Sequence, residues 1–329
     1  MPIDRDEHQR DALRRLTDKA NSHLSVVACA PTGYGKTRIS TMLANDWAVP
    51  AGMSWEFLTN RRSLLDQTIL AFEEANLDFG VRAAGYMSRF SPEKKGQITI
   101  AQSDSAAIKG GHWKENRPVA LVIDEIHNNL GGYVQRRINE HLDRGLPVIG
   151  LTATPVGLGG HFKHLEVLCK LSELREMGGA LLAECHTPSE VDLKDIRKVA
   201  TPGALADEMG RRFMQQQVVG SIIEHWRRLN PRGWPTIQFN PCIESSMWFC
   251  DEWNRAGVPS AHIDGEHIYY GEWKDGEREF VPSNRKTRNE LRKQVYRGLI
   301  KVVNNRFVMR EGVDWPFLYH AIFATRMGH

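Results

Sequence analysis

Eight residues, Ala30-Pro31-Thr32-Gly33-Tyr34-Gly35-Lys36-Thr37, stand between an apolar run, Leu24 to Cys29, and a segment of helical character from Arg38 to Trp47. Backbone amides turn inward on a polyphosphate only where the chain bends tightly without Cβ obstruction, which Gly33 and Gly35 allow, and a following helix adds its positive N-terminal end. Lys36 is then placed to neutralise the β and γ phosphates, and the Thr37 hydroxyl to ligate magnesium. The octet therefore reads as an ATP-binding phosphate loop whose usual first glycine is Ala30, and a strand before it with a helix after it predicts an α/β fold.

A second run, Val119-Ala120-Leu121-Val122-Ile123, ends in Asp124-Glu125-Ile126-His127. A continuous apolar run is what a strand buried on both faces of a parallel sheet requires, and ligands bind at the carboxyl ends of such strands. Asp124 is expected to hold Mg through water and Glu125 to polarise an attacking water. Pro147 to Leu151 gives one more buried strand, ending in Thr152-Ala153-Thr154. These two hydroxyls, beside Asp124 and His127, suit sensing of the γ phosphate and its relay to a neighbouring domain.

At 329 residues, 41% hydrophobic and 25% charged, the chain is long enough for two globular domains. A formal charge of +3 neither demands nor excludes a nucleic-acid partner. The five cysteines, Cys29, Cys169, Cys185, Cys242 and Cys250, form no C-x-x-C pair, which argues for a reducing cytosol and against a disulfide framework. Cys185-His186 and the pair His161 and His164 lack a second ligand pair at finger-like spacing, so loop or core roles are expected of them. No apolar run approaches the roughly 18 residues of a membrane span, and a cytoplasmic protein is expected.

Along the first half, Glu7 to Lys19 has helical periodicity and carries Gln9. Ser54 to Thr59 is a strand candidate followed by Asn60-Arg61-Arg62 and a helical segment. Arginine and a helix N-terminus at the end of a parallel strand suit a grip on nucleic-acid phosphates, the alternative being two solvated arginines. Gln97 to Gln102 reads as another strand.

Taken together these residues resemble the superfamily 2 DEAD/DEAH-like helicases, more narrowly the group of type III restriction-enzyme helicase subunits and RadD-like DNA repair proteins. The resemblance implies two RecA-like domains, parallel sheets flanked by helices, with ATP in the cleft between them and DNA across both. It implies that Gln9 reads the adenine edge, against a plain solvated glutamine, and that Pro31, Thr32, Gly33, Tyr34, Gly35, Lys36 and Thr37 cradle the nucleotide. Asn60, Arg61, Arg62 and Gln102 fall at the family's nucleic-acid contacts, although Gln102 and Asp104 depart from its usual Thr and Gln. Arg310 to Pro316 resembles the fifth motif, so Gly312 is assigned to close backbone approach and Asp314 to the ribose or to domain coupling. Ala321 to Arg326 begins the sixth motif. The glutamine and paired arginines that would follow are not reached before His329, so the second domain is expected to be C-terminally incomplete; arginine fingers of that kind are worth roughly 10³ to 10⁵ in rate.

The expected division is 1–160 as the ATP-binding domain, 161–203 as a connector and 204–329 as the second domain. Within the latter, Met247, Trp248, Phe249 and Trp253 form an apolar face that reads as core. Residues 268–283, with Asp275-Gly276 between aromatic-rich flanks, suggest a hairpin-like insertion, decorative or touching DNA. The expected function is an ATP-dependent DNA helicase or translocase in repair, recombination or restriction, possible protein partners included. Two alternatives stand beside it: an RNA helicase, and a nucleic-acid binding or annealing module with weak or no ATP turnover. Nuclease and methyltransferase chemistry have no carrier motif here.

Overall fold

The computed structural model describes residues 3–23, 25–60, 62–101, 117–128, 130–158, 160–180, 183–186, 202–306, 308–309 and 315–325. The chain divides into two compact units, Met1–Ala183 and Glu184–His329.

The first unit is built on a seven-stranded sheet. Its strands in chain order are β1 (Ser25–Cys29), β2 (Trp55–Thr59), β3 (Phe79–Arg82), β4 (Gly96–Ile100), β5 (Ala120–Ile123), β6 (Val148–Thr152) and β7 (His164–Val167). Their order across the sheet is β3-β4-β2-β5-β6-β1-β7, and every pairing between them is parallel. Four of the central strands are buried along their length, which explains the near-unbroken apolar runs of β5 and β6 where an exposed sheet would alternate. Helices α1 (Arg5–His23), α2 (Lys36–Met42, running on as a π-helical turn over Leu43–Ala48), α3 (Arg62–Glu74) and α4 (Gly132–Asp143) flank the sheet. Leu16 and Ala20 of α1, Ile39 and Leu43 after the glycine loop, and Leu65 and Phe72 of α3 join Val26, Ala28, Phe57 and Ile98 in one core.

A buried ion pair interrupts that core. Glu56 of β2 is fully buried and is held by Arg137 of α4, whose Nη2 donates to Oε2 at 2.6 Å, while the Thr99 hydroxyl donates to Oε1. The pair fastens a helix to the sheet's centre, where either charge alone would be costly.

The second unit carries β8 (Thr236–Phe239), β9 (Ser260–Ile263), β10 (His267–Lys274), β11 (Glu277–Pro282), β12 (Val302–Asn305) and β13 (His320–Phe323) in the order β11-β10-β9-β12-β8-β13. The β8, β9, β12 and β13 pairings are parallel; β10 runs antiparallel to both β9 and β11. Segment 268–283 therefore extends the sheet as a hairpin at its edge, turning where Asp275 (φ 53°) and Gly276 (φ 84°) both adopt left-handed backbone. Its Arg278 is fixed by Asp251 at 2.7 Å and lies over the rings of Tyr269 and Trp273.

Helices α6 (Pro202–Phe213), α7 (Gln216–Leu229), α8 (Ile243–Arg255) and α9 (Arg285–Tyr296) belong to this unit; the short α5 (Leu171–Glu176) belongs to the first. Phe249 and Trp253 of α8 are fully buried with Trp248 packed against them, the core role expected of that face; Met247 is only half-buried. Ser246, His262 and Asp264 form a Ser-His-Asp chain, with Ser246 Oγ 2.6 Å from His262 Nδ1 and Nε2 3.2 Å from Asp264 Oδ2. Ser246 has no exposed surface, so this array braces β9 against α8 and offers no nucleophile.

Candidate nucleotide site

Two neighbouring strands and the one beside them bring the sequence-predicted residues to one edge of the first sheet. β1 pairs with β6 so that Cys29 lies opposite Thr152, and β6 pairs with β5 so that Gly150 lies opposite Ile123. The glycine loop, the Asp124-Glu125 pair and the threonines all leave the sheet at these carboxyl ends, where parallel α/β sheets bind ligands.

The loop is shaped by its glycines. Gly33 has φ 88° and Gly35 φ 101°, backbone that L side chains rarely adopt. Space is short as well: a Cβ on Gly35 would meet Gln9 Nε2 at 2.8 Å, and one on Gly33 would meet the Gly179 carbonyl at 3.1 Å. Gly35 caps α2, which begins at Lys36. Thr32, Gly33 and Thr37 are exposed, Pro31 half-buried, and the Tyr34 side chain fully buried.

Helix α1 braces the loop from behind. Gln9, itself 1% exposed, donates from Nε2 to the Tyr34 carbonyl at 2.7 Å. Arg5 donates to the Gly33 carbonyl, and His8 Nδ1 lies 2.9 Å from the Tyr34 hydroxyl. Gln9 Oε1 is buried with no hydrogen-bond partner among the described residues. Sequence reasoning had Gln9 but missed Arg5 and His8. Their signal was available, since spacings of three and four put all three on one helical face.

At the carboxylate pair, Asp124 N–H still donates to the Leu58 carbonyl of β2, and Glu125 N–H turns back to Asp124 Oδ1 at 3.0 Å. Glu125 takes φ 44°, a left-handed conformation that is strained for a residue with Cβ. Glu125 Oε1 lies 3.8 Å from Lys36 Nζ, and Oε2 lies 3.4 Å from His127 Nδ1. The same His127 nitrogen is 2.8 Å from Thr152 Oγ1, which also accepts the Thr154 N–H at 2.9 Å. Lys36, Glu125, His127, Thr152 and the Thr154 backbone thus form one connected chain of contacts. The Thr154 side chain is exposed and no part of it.

Burial, and after it the charge of Glu125, pushes the Asp124 carboxyl up to about 6 against the pull of Lys36. A carboxylate so short of positive charge is one that a divalent cation would relieve, so the donor set fits magnesium at Asp124.

Not all expected residues are brought together. Asn60 lies at the carboxyl end of β2, half-buried, with Oδ1 lacking a partner among the described residues. Arg62 opens α3. Strand β4 ends at Ile100, short of Gln102, and Arg61, Gln102, Gly312 and Asp314 lie outside the described residues.

With this geometry in place, comparison with known proteins is informative. Residues 3–157 match the family of type III restriction enzyme res subunits, a span that holds every residue of the loop, the carboxylate pair and both threonines. The N-terminal part of the chain is thus similar to the type III restriction enzyme res subunits. It is 28% identical over 163 residues to the ATP-dependent DNA helicase mph1 of Aspergillus terreus (strain NIH 2624 / FGSC A1156), a match covering 44% of this chain and spanning only 14% of that relative's length. Among solved structures, the Hef helicase domain of Pyrococcus furiosus superposes with a TM-score of 0.57 at 14% identity, over 95% of this chain and 89% of that one. The DUF1998 helicase MrfA, solved bound to DNA, gives 0.63 at 15% identity, over 97% of this chain and 44% of MrfA. At such identities the structural likeness establishes the RecA-like α/β fold. No helix among the described residues is long and apolar enough to cross a membrane.

Proposed function

We propose that this chain is an ATP-dependent DNA helicase or translocase module that couples ATP hydrolysis to movement on, or remodelling of, DNA. The observation that carries the reading is the position of Glu125, 3.8 Å from the phosphate-loop lysine and 3.4 Å from His127, at the mouth of a glycine loop with two left-handed glycines. In this reading the loop amides from Thr32 to Thr37 hold the triphosphate, Lys36 leaves Glu125 to pair with it, and Gln9 Oε1 receives a donor from the adenine edge. Thr37 and Asp124 would hold magnesium, which would supply positive charge against the negative charge developing on the phosphates. Glu125, freed from Lys36, orients the attacking water, and His127 with Thr152 registers its state. Asn60, Arg61 and Arg62 are proposed to hold strand phosphates, and Gly312 and Asp314 to serve the nucleotide. DNA as the partner is favoured by the relatives named above, one a DNA helicase and one solved on DNA. A role in repair, recombination or restriction rests on the same likeness.

The test is ATP turnover by the chain alone and with single-stranded, duplex and forked DNA and with RNA. The expected result is stimulation by DNA. Stimulation by RNA alone would transfer the reading to an RNA helicase, and tight nucleotide binding with no turnover on any strand would make the chain a binding or annealing module.

A further inference from the structure

His8, Cys169 and Glu173 meet on the far side of the phosphate loop, where α1 approaches the chain that follows β7. One ligand atom from each lies within 4.8 Å of the other two, with Glu173 Oε2 3.9 Å from His8 Nε2. The cluster mixes a thiol, an imidazole and a carboxylate, the donors of four-coordinate zinc.

We propose that His8 Nε2, Cys169 Sγ and Glu173 form a binding site for a thiophilic divalent cation of the zinc class, with water in the fourth position. This goes beyond the nucleotide reading and does not rest on it. Bonds of about 2.0–2.3 Å in a tetrahedron hold donors roughly 3.3–3.8 Å apart, so closing on the ion asks for side-chain movements of about 1 Å.

The surrounding contacts are those of an oriented ligand set. His8 is turned by the Tyr34 hydroxyl at Nδ1, which directs Nε2 to the cluster. Glu173 is held by the Lys170 N–H at 2.6 Å, in the capping box of α5. Cys169 is 3% exposed, and burial, then Glu173, push its thiol up to about 11 against the weaker pull of Arg5. A metal-bound cysteine is a thiolate, so binding releases the Sγ proton. The ion would tie α1 to the segment after β7 and, through Tyr34, set the position of the phosphate loop.

The 329-residue chain, stripped with chelator, is titrated with Zn²⁺ alone and with Co²⁺ alone. The expected result is a single tight equivalent of zinc and a near-ultraviolet thiolate-to-cobalt charge-transfer band. Both should be lost in Cys169→Ala and retained in Cys185→Ser. Tyr34→Phe, which removes only the hydroxyl that orients His8, should weaken zinc binding about 10–100-fold. Glu173→Gln keeps a cap acceptor for Lys170 N–H while removing the anionic ligand, so it decides the matter even if Cys169→Ala fails to fold. Absence of the band, or zinc affinity unchanged in Glu173→Gln, would overturn the proposal and leave the cluster as a hydrogen-bonded brace.

Discussion

Asp124 shows how a single residue records what the site is for. Its carboxyl is raised from an ordinary value of 3.8 to about 6, so in the folded chain it favours its proton. The stability this contributes is fully present below 3.8 and lost as pH rises through 6; at neutral pH the ionised group is a net cost of about 1–3 kcal/mol. Asp124→Asn is therefore expected to unfold at higher temperature than the parent chain at pH 7.5 without nucleotide. Lowering the pH from 7 to 4 should close the gap, as thermal scans across that range would show, and a gap that widens toward acid contradicts the assignment. The residue-scale reading was accessible from sequence where chemistry is local: Lys36, Asp124, Glu125 and Thr152 were placed by motif spacing alone. The left-handed backbone of Glu125 and the Arg5 and His8 contacts were not read, because they depend on which elements pack together.

At the scale of elements, the strands that pass through the sheet's centre were legible because burial on both faces leaves an unbroken apolar run, as in Val119 to Ile123. The hairpin at 268–283 was legible from Asp275-Gly276. Elements at the margins were not: β3 (Phe-Gly-Val-Arg) and β7 (His-Leu-Glu-Val) are short and interrupted by charged residues, Arg82 and Glu166, that are buried against partners elsewhere in the sequence, Gln97 and Arg15. Glu56 reads as a strand residue that ought to face water, and only its partner Arg137, 81 positions away, accounts for its burial. Arg137→Met leaves Glu56 buried without its ion partner, and should cost about 3–5 kcal/mol in chemical denaturation. Glu56→Gln with Arg137→Met should recover much of that loss, since a neutral pair of similar volume carries no stranded charge. If the double variant were no more stable than the single one, the pair would not be what fastens α4 to the sheet.

Considered as a whole, the molecule distributes its proposed work unevenly between its two units. Every loop, carboxylate and threonine residue of the nucleotide site lies within Met1–Ala183, and those residues are joined by contacts internal to that unit. A fragment ending at Ala183 is thus expected to fold and to bind magnesium-ATP, measurable by calorimetry, with DNA-stimulated turnover requiring the complete chain. Loss of all nucleotide binding in a well-folded fragment would show that the second unit supplies more than coupling. The central claim is that Glu125 activates water for hydrolysis, and it is tested most directly by comparing ATP affinity and single-turnover hydrolysis in the parent chain and Glu125→Gln on single-stranded DNA. Positioned bases contribute about 10²–10⁴-fold, so the account expects ATP to bind the variant with little change while hydrolysis falls by that order. Hydrolysis by Glu125→Gln at the parental rate would contradict it.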